Sequence, residues 1–141
     1  MIELVNRQRK IRIEPEIFRQ FAAEAASAVK KAQDKAITIA FVSDRKMTEL
    51  NLMFRDKNST TDVLSFPHEP DEFEQSDDNL GDIVISLEQA ARQAEENNLS
   101  LELEIKQLIL HGILHLCGYD HEADTGEMNR LELKLREKLA I

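Results

Sequence analysis

Cysteine is almost absent from this chain. Cys117 is the one thiol in 141 residues, so an internal disulfide is excluded and a reducing compartment is expected. No apolar run approaches the ~20 residues that a membrane-spanning helix needs. The segment Met1 to Val5 has neither the apolar core nor the cleavage site of a secretory signal, which makes a cytoplasmic location the expectation. Glycine is scarce too. Gly81, Gly112, Gly118 and Gly126 all fall outside any phosphate-cradling spacing, which argues against a nucleotide cofactor.

Cations are in deficit, 18 Lys and Arg against 27 Asp and Glu, for a net charge of −9. That sum is unpromising for a nucleic-acid partner, because phosphate binding rests on Lys and Arg. The distribution is more informative. Arg7, Arg9, Lys10 and Arg12 cluster near the N-terminus and suit either a solvated surface or phosphate contact. Between Glu69 and Asp78 the acids form a block with no cation among them, expected to be a loop held extended by its own repulsion. Repeats and low-complexity linkers are lacking, and 42% apolar with 32% charged residues suits one globular domain over 1–141.

What the chain does have is concentrated between His111 and His121, where three of its four histidines fall. His111 and His115 are one helical turn apart and so share a face. Gly118 is the residue type that ends a helix in a left-handed turn, and a reversal there would return His121 to the same point. The segment is too apolar to bury imidazoles without partners, and a metal ion partners all three. Three histidines leave a fourth tetrahedral position for water, the composition of a catalytic zinc site rather than a structural one. The spacing matches that of metzincin proteases, but Gly112 stands where those have the glutamate base. Cys117, two residues past His115, is expected to face away from the ligands as a small apolar residue.

The rest of the chain reads as α/β. Pro15 suits a first helical turn, followed on one face by Ile17, Phe18, Phe21, Ala22, Ala25 and Val29. Strands are expected at Ala36 to Val42, Val63 to Phe66 and Asp82 to Leu87, with a fourth at Ile2 to Val5. Ser43 or Asp44 would cap a short helix whose inner face carries Met47, Leu50 and Phe54. Three helices follow: Leu87 to Asn97, one from Ser100 into the histidines, and one from Asp124 with Glu127 in a capping arrangement, burying Met128, Leu131, Leu135 and Leu139. A small mixed sheet of about four strands, with the metal helix against one face, is the expected architecture.

Two further segments carry residues with no packing reason: Asn51 to Lys57 running into Thr60 to Pro67, and Leu80 to Ser86. With the histidine segment they resemble, in order, the motifs of the bacterial YbeY family of rRNA-maturation endoribonucleases, over about Asn51 to His121. The resemblance implies a metal-dependent endoribonuclease specific for single strands. Such an enzyme acts in 16S rRNA 3′-end maturation and ribosome quality control, with the small ribosomal subunit and its assembly factors as partners. It implies zinc on His111, His115 and His121, and places Arg55 beside the metal cleft as a residue needed for activity. Arg55 and His111 are thus the candidate catalytic residues.

Zinc on three histidines lowers the pKa of bound water from about 15.7 to about 7, which removes the need for a carboxylate base. Attack on the phosphodiester by water or by the RNA's own 2′-OH are both compatible with the residues. Arg55 would offset charge on the phosphoryl oxygens, since guanidinium matches phosphate in bidentate geometry. Asp62 is expected to brace its loop. Asp82 is either a partner for a ligand imidazole or a turn residue. Asp120 reads as a turn residue, Tyr119 as half-buried packing or a substrate contact, and His68 as a loop residue. Two rival functions remain, a zinc metallopeptidase-like hydrolase and a non-enzymatic ribosome-assembly factor with a structural zinc.

Overall fold

Four short strands rich in apolar residues build the frame on which everything else hangs. A computed structural model describes residues 1–70, 72–73, 78–120 and 125–141. Strands β1 (Ile2–Asn6), β2 (Ala36–Val42), β3 (Val63–Pro67) and β4 (Asn79–Ser86) form one sheet in the order β1-β2-β4-β3. β1 and β4 each run parallel to β2, whereas β3 runs antiparallel to β4, so the sheet is mixed. Helices are α1 (Pro15–Ala28), α2 (Asp44–Arg55), α3 (Leu87–Glu96), α4 (Leu101–Leu116) and α5 (Glu127–Leu139).

Side chains of a strand point alternately to its two faces. Ile37, Ile39 and Phe41 of β2 and Ile83 and Ile85 of β4 enter the main core, against α1 and α4. Their neighbours Val42 and Val84 join Leu64 of β3 under Met47 of α2 on the other face. Both faces are covered, which is why β2 and β4 read as near-continuous apolar runs. α4 is buried on almost every side, with Ile105, Ile109, Leu110, Ile113 and Leu114 fully enclosed. At about 1.5–3 kcal/mol for each large apolar side chain removed from water, its position is set by this core.

The expected boundaries hold closely, with some exceptions. β4 begins at Asn79 and ends at Ser86, and Leu87 opens α3. Ser43, Ser86 and Ser100 all cap their helices, each hydroxyl accepting from the N–H three residues on. Asp124, expected to start the last helix, lies outside the described residues. Gly126 precedes α5 without a side-chain cap, and Glu127 instead accepts from the backbone N–H and hydroxyl of Thr125. Phe54 is not on the inner face of α2: it is 59% exposed. The helix touches the sheet through Met47 and Leu50, and Phe54 in its last turn meets the ring of Phe66. Among the described residues no helix is long and apolar enough to cross a membrane.

Candidate metal centre

α4 brings His111 and His115 together on one face of the helix. The rings are half-buried, 4.5 Å apart between centroids, and their Nε2 atoms approach to 2.9 Å. The helix ends where the glycine spacing predicts. Gly118 has φ +94°, its N–H donates to the His115 carbonyl, and the N–H of Tyr119 donates to that of Leu114. This pair of bonds closes a Schellman turn and redirects the chain sharply after the second histidine. His121 lies outside the described residues, and among those described no group of three potential ligands is gathered.

One residue essential to this arrangement was not foreseen. Glu132, on α5, sets Oε1 2.7 Å from His111 Nδ1, and only 5% of the residue is exposed. Its other oxygen accepts from Arg136 at 3.3 Å. With a carboxylate at Nδ1, that nitrogen carries the proton and Nε2 keeps its lone pair toward His115. The available signal was a charge on the apolar stripe of α5, one turn after Met128. Asp82, offered from sequence for this role, is exposed on β4 opposite Phe66.

The donor set fits a small divalent ion. Two nitrogens bound at about 2.0–2.1 Å to a tetrahedral ion stand about 3.3 Å apart, so opening the existing pair by a few tenths of an ångström suffices. His115 would have to carry its proton on Nδ1. Gly112 explains the missing glutamate: a Cβ there would meet Ile83 at 2.9–3.1 Å. The position that carries the base in metzincins here faces the sheet, where α4 rests on β4.

Beside the histidines runs a cleft of about 730 Å³, lined by Arg55, His111, His115, Asp120 and every residue of β3. Consecutive residues of a strand point to opposite faces. A cleft touching all five therefore follows the strand's outer edge, and β3 is the last strand of the sheet. Arg55 is the last residue of α2 and is exposed. Its approach depends on the loop after α2, which is held from below. Asn51, 3% exposed, donates to the Ser59 carbonyl, and the Thr60 hydroxyl donates to Asp44. Asp44 also accepts from Ser86 and Arg92. Burial raises its pKa, but the hydrogen bonds from Ser86, Arg92 and Thr60, with the Arg92 charge, outweigh that and hold it below the usual value.

Asp62 braces its loop as expected, its carboxylate accepting from the Val63 N–H at 2.7 Å. It forms the wall between the cleft and a second, polar cavity of about 590 Å³ that also touches His111 and Glu132. Glu104, 5% exposed, borders that cavity. Its pKa is raised, first by burial and then by the Asp62 charge, against opposition from Asn97 and Arg136. Tyr119 packs on the core with Lys31 over its ring, a packing role rather than a cleft contact. Cys117 is half-buried against the same core, and burial raises its thiol pKa against the pull of Lys31 and Lys35. His68 extends the β3–β4 ladder through its backbone N–H to Leu80. The N-terminal basic cluster follows β1, at the sheet edge opposite the cleft, and Lys10 pairs with Glu88.

Comparison with known proteins places the chain by sequence and by fold. A family model described as Endoribonuclease YbeY matches residues 3–140. An endoribonuclease YbeY of Thermodesulfovibrio yellowstonii is 36% identical over 98% of this chain and 94% of its own length. Another, from Nautilia profundicola, is 47% identical over 77% of this chain and 75% of its own. The solution structure of a Thermotoga maritima protein superposes with a TM-score of 0.66 at 28% identity, covering 99% of this chain and 89% of that one.

Proposed function

This chain belongs to the YbeY family of endoribonucleases, a metal-dependent family, and we propose that it cuts single-stranded RNA at a zinc ion held by His111, His115 and His121. The observation that carries the reading is the pair of Nε2 atoms 2.9 Å apart at the mouth of a cleft that also holds Arg55. When bound, zinc supplies Lewis acidity and a water whose pKa is near 7 (about 7 on a three-histidine site). The protein's residues supply the rest. Glu132 holds the His111 ring in the tautomer that offers Nε2 to the ion. Arg55 binds and orients the phosphodiester through paired N–H donors and offsets charge that accumulates on its oxygens. The outer edge of β3 offers backbone donors and acceptors along the RNA's path.

The substrate in the cell is proposed to be small-subunit rRNA and its precursors, processed in the cytoplasm in company with the small ribosomal subunit and assembly factors. A peptidase reading is disfavoured by Gly112, which leaves no carboxylate at the base position. A purely structural metal is disfavoured because α4 is already fixed by its apolar core.

Metal content and RNA cleavage measured together on wild type, His115→Ala and Arg55→Ala test the proposal. Metal should be lost only in the histidine variant, and cleavage in both. Full cleavage by metal-free protein, or a peptidase activity with intact single-stranded RNA, would overturn it. Product ends separate the two possible nucleophiles: a 2′,3′-cyclic phosphate means attack by the ribose, and a 3′-OH with a 5′-phosphate means attack by water.

A further inference from the structure

The last turn of α2 carries three exposed apolar residues before Arg55, namely Leu52, Met53 and Phe54, at 48%, 72% and 59% exposure. Only Phe54 lines the cleft, next to Arg55. Its ring is not loose: it meets the ring of Phe66 edgewise, with centroids 5.0 Å apart and planes at 64°. Phe66 lines the same cleft and is itself packed on Leu64 and its neighbours under α2. The arrangement is a propped aromatic ring, open to solvent, in the groove that carries the histidine pair.

We propose that Phe54, supported by Phe66, is a stacking platform for an unpaired nucleobase adjoining the phosphodiester that Arg55 engages; the inference rests on the RNA-cleaving reading above. Every base has a π-face, so stacking on an aromatic ring holds RNA without regard to sequence. In a duplex those faces are occupied by neighbouring bases. A platform at the cut site therefore selects single strands by the accessibility of the base. The protein's charge makes such a contact necessary. At −9 overall, its long-range field opposes a polyanion, so attraction must come from contacts made inside the cleft.

The chain has no tryptophan, so Phe54→Trp places a single indole on the platform. The probe is a fluorescently labelled, single-stranded 2′-O-methyl oligonucleotide, alongside the same strand with abasic sites and its duplex form. Binding is read by anisotropy of the label and stacking by quenching of the indole. Quenching is expected with the base-bearing single strand and not with the abasic strand or the duplex. Phe54→Ala should weaken binding about tenfold while leaving the slope of affinity against salt unchanged. Arg55→Ala should make that slope shallower. Leu52→Ala and Met53→Ala should bind as wild type. Binding without quenching, equal quenching by the abasic strand, or an equal loss in Leu52→Ala would overturn the platform and leave the nuclease reading standing. Failure of wild type to bind the single strand would sink both.

Discussion

Nδ1 of His111 lies 2.7 Å from Oε1 of Glu132, across 21 residues of chain and between two helices. This contact decides which imidazole nitrogen is left for a metal. Glu132→Gln keeps the shape, and its carbonyl oxygen can still accept a hydrogen bond from the Nδ1 N–H, but the charge is removed. Metal affinity, measured by competition with a chelator, is expected to fall by about 10–100-fold. His115→Ala should lose the metal outright with a thermal melt near that of wild type. An unchanged affinity in Glu132→Gln would show that the carboxylate charge adds nothing to metal binding.

Much of this was legible from residue order, and the exceptions share a cause. Strands β1 to β4, the serine caps and the glycine after His115 follow from local periodicity and turn chemistry, which a linear reading captures. The helical pairing of His111 with His115 is likewise local. Glu132 was missed because its partner sits on another helix, and a lone acid on an amphipathic stripe resembles a solvated residue. Phe54 was misplaced for a related reason. Its spacing from Met47 and Leu50 continues the apolar face, but at β3, the edge strand, it meets only the ring of Phe66 and the cleft, so most of it stays exposed.

Gly112 is held to glycine by packing, since Ile83 fills the space a Cβ would take. Gly112→Ala puts a Cβ 2.9–3.1 Å from three atoms of that side chain. The neighbour must move, and overpacking of this kind costs typically about 1–3 kcal/mol. Chemical denaturation should show a lower midpoint with an unchanged slope. Gly112→Glu, which would restore the metzincin residue, should fail to fold because a charge would be forced between α4 and β4. A stable, peptide-cleaving Gly112→Glu protein would contradict the account of why the base is missing.

Glu104 is a carboxylate in the wrong surroundings, buried and close to the Asp62 charge. Its folded-state pKa lies above the ordinary 4.5, so the folded protein binds that proton more tightly than the unfolded chain does. Stability from this group is therefore fully present below the unfolded value and is lost as pH rises through the folded one. Glu104→Gln should stabilise the protein at pH 7 and lose its advantage in acid. Denaturant midpoints for both proteins, measured across the acid range, check the sign. A variant less stable than wild type at neutral pH would mean that Asn97 and Arg136 more than offset the burial.

Asp44 works in the opposite direction, and its influence reaches the cleft. Its folded pKa is depressed below 3.8, so the stability it adds is present above that value and disappears as pH falls through the folded pKa. The contribution comes from the hydrogen bonds of Ser86, Arg92 and Thr60, with the Arg92 charge discounted because that side chain is half exposed and its ion pair is screened. Asp44→Asn keeps one acceptor oxygen but turns an N–H₂ group toward other donors. The expected cost is about 1–2 kcal/mol at pH 7, shrinking toward zero in acid. Because Thr60 tethers the loop that leads to Asp62 and β3, loosening it should also blur the groove in which RNA lies. KM for a single-stranded RNA substrate should then rise more than kcat falls, since Arg55 and the histidines are untouched. A variant that loses stability with no change in KM would separate the Asp44 network from the shape of the cleft.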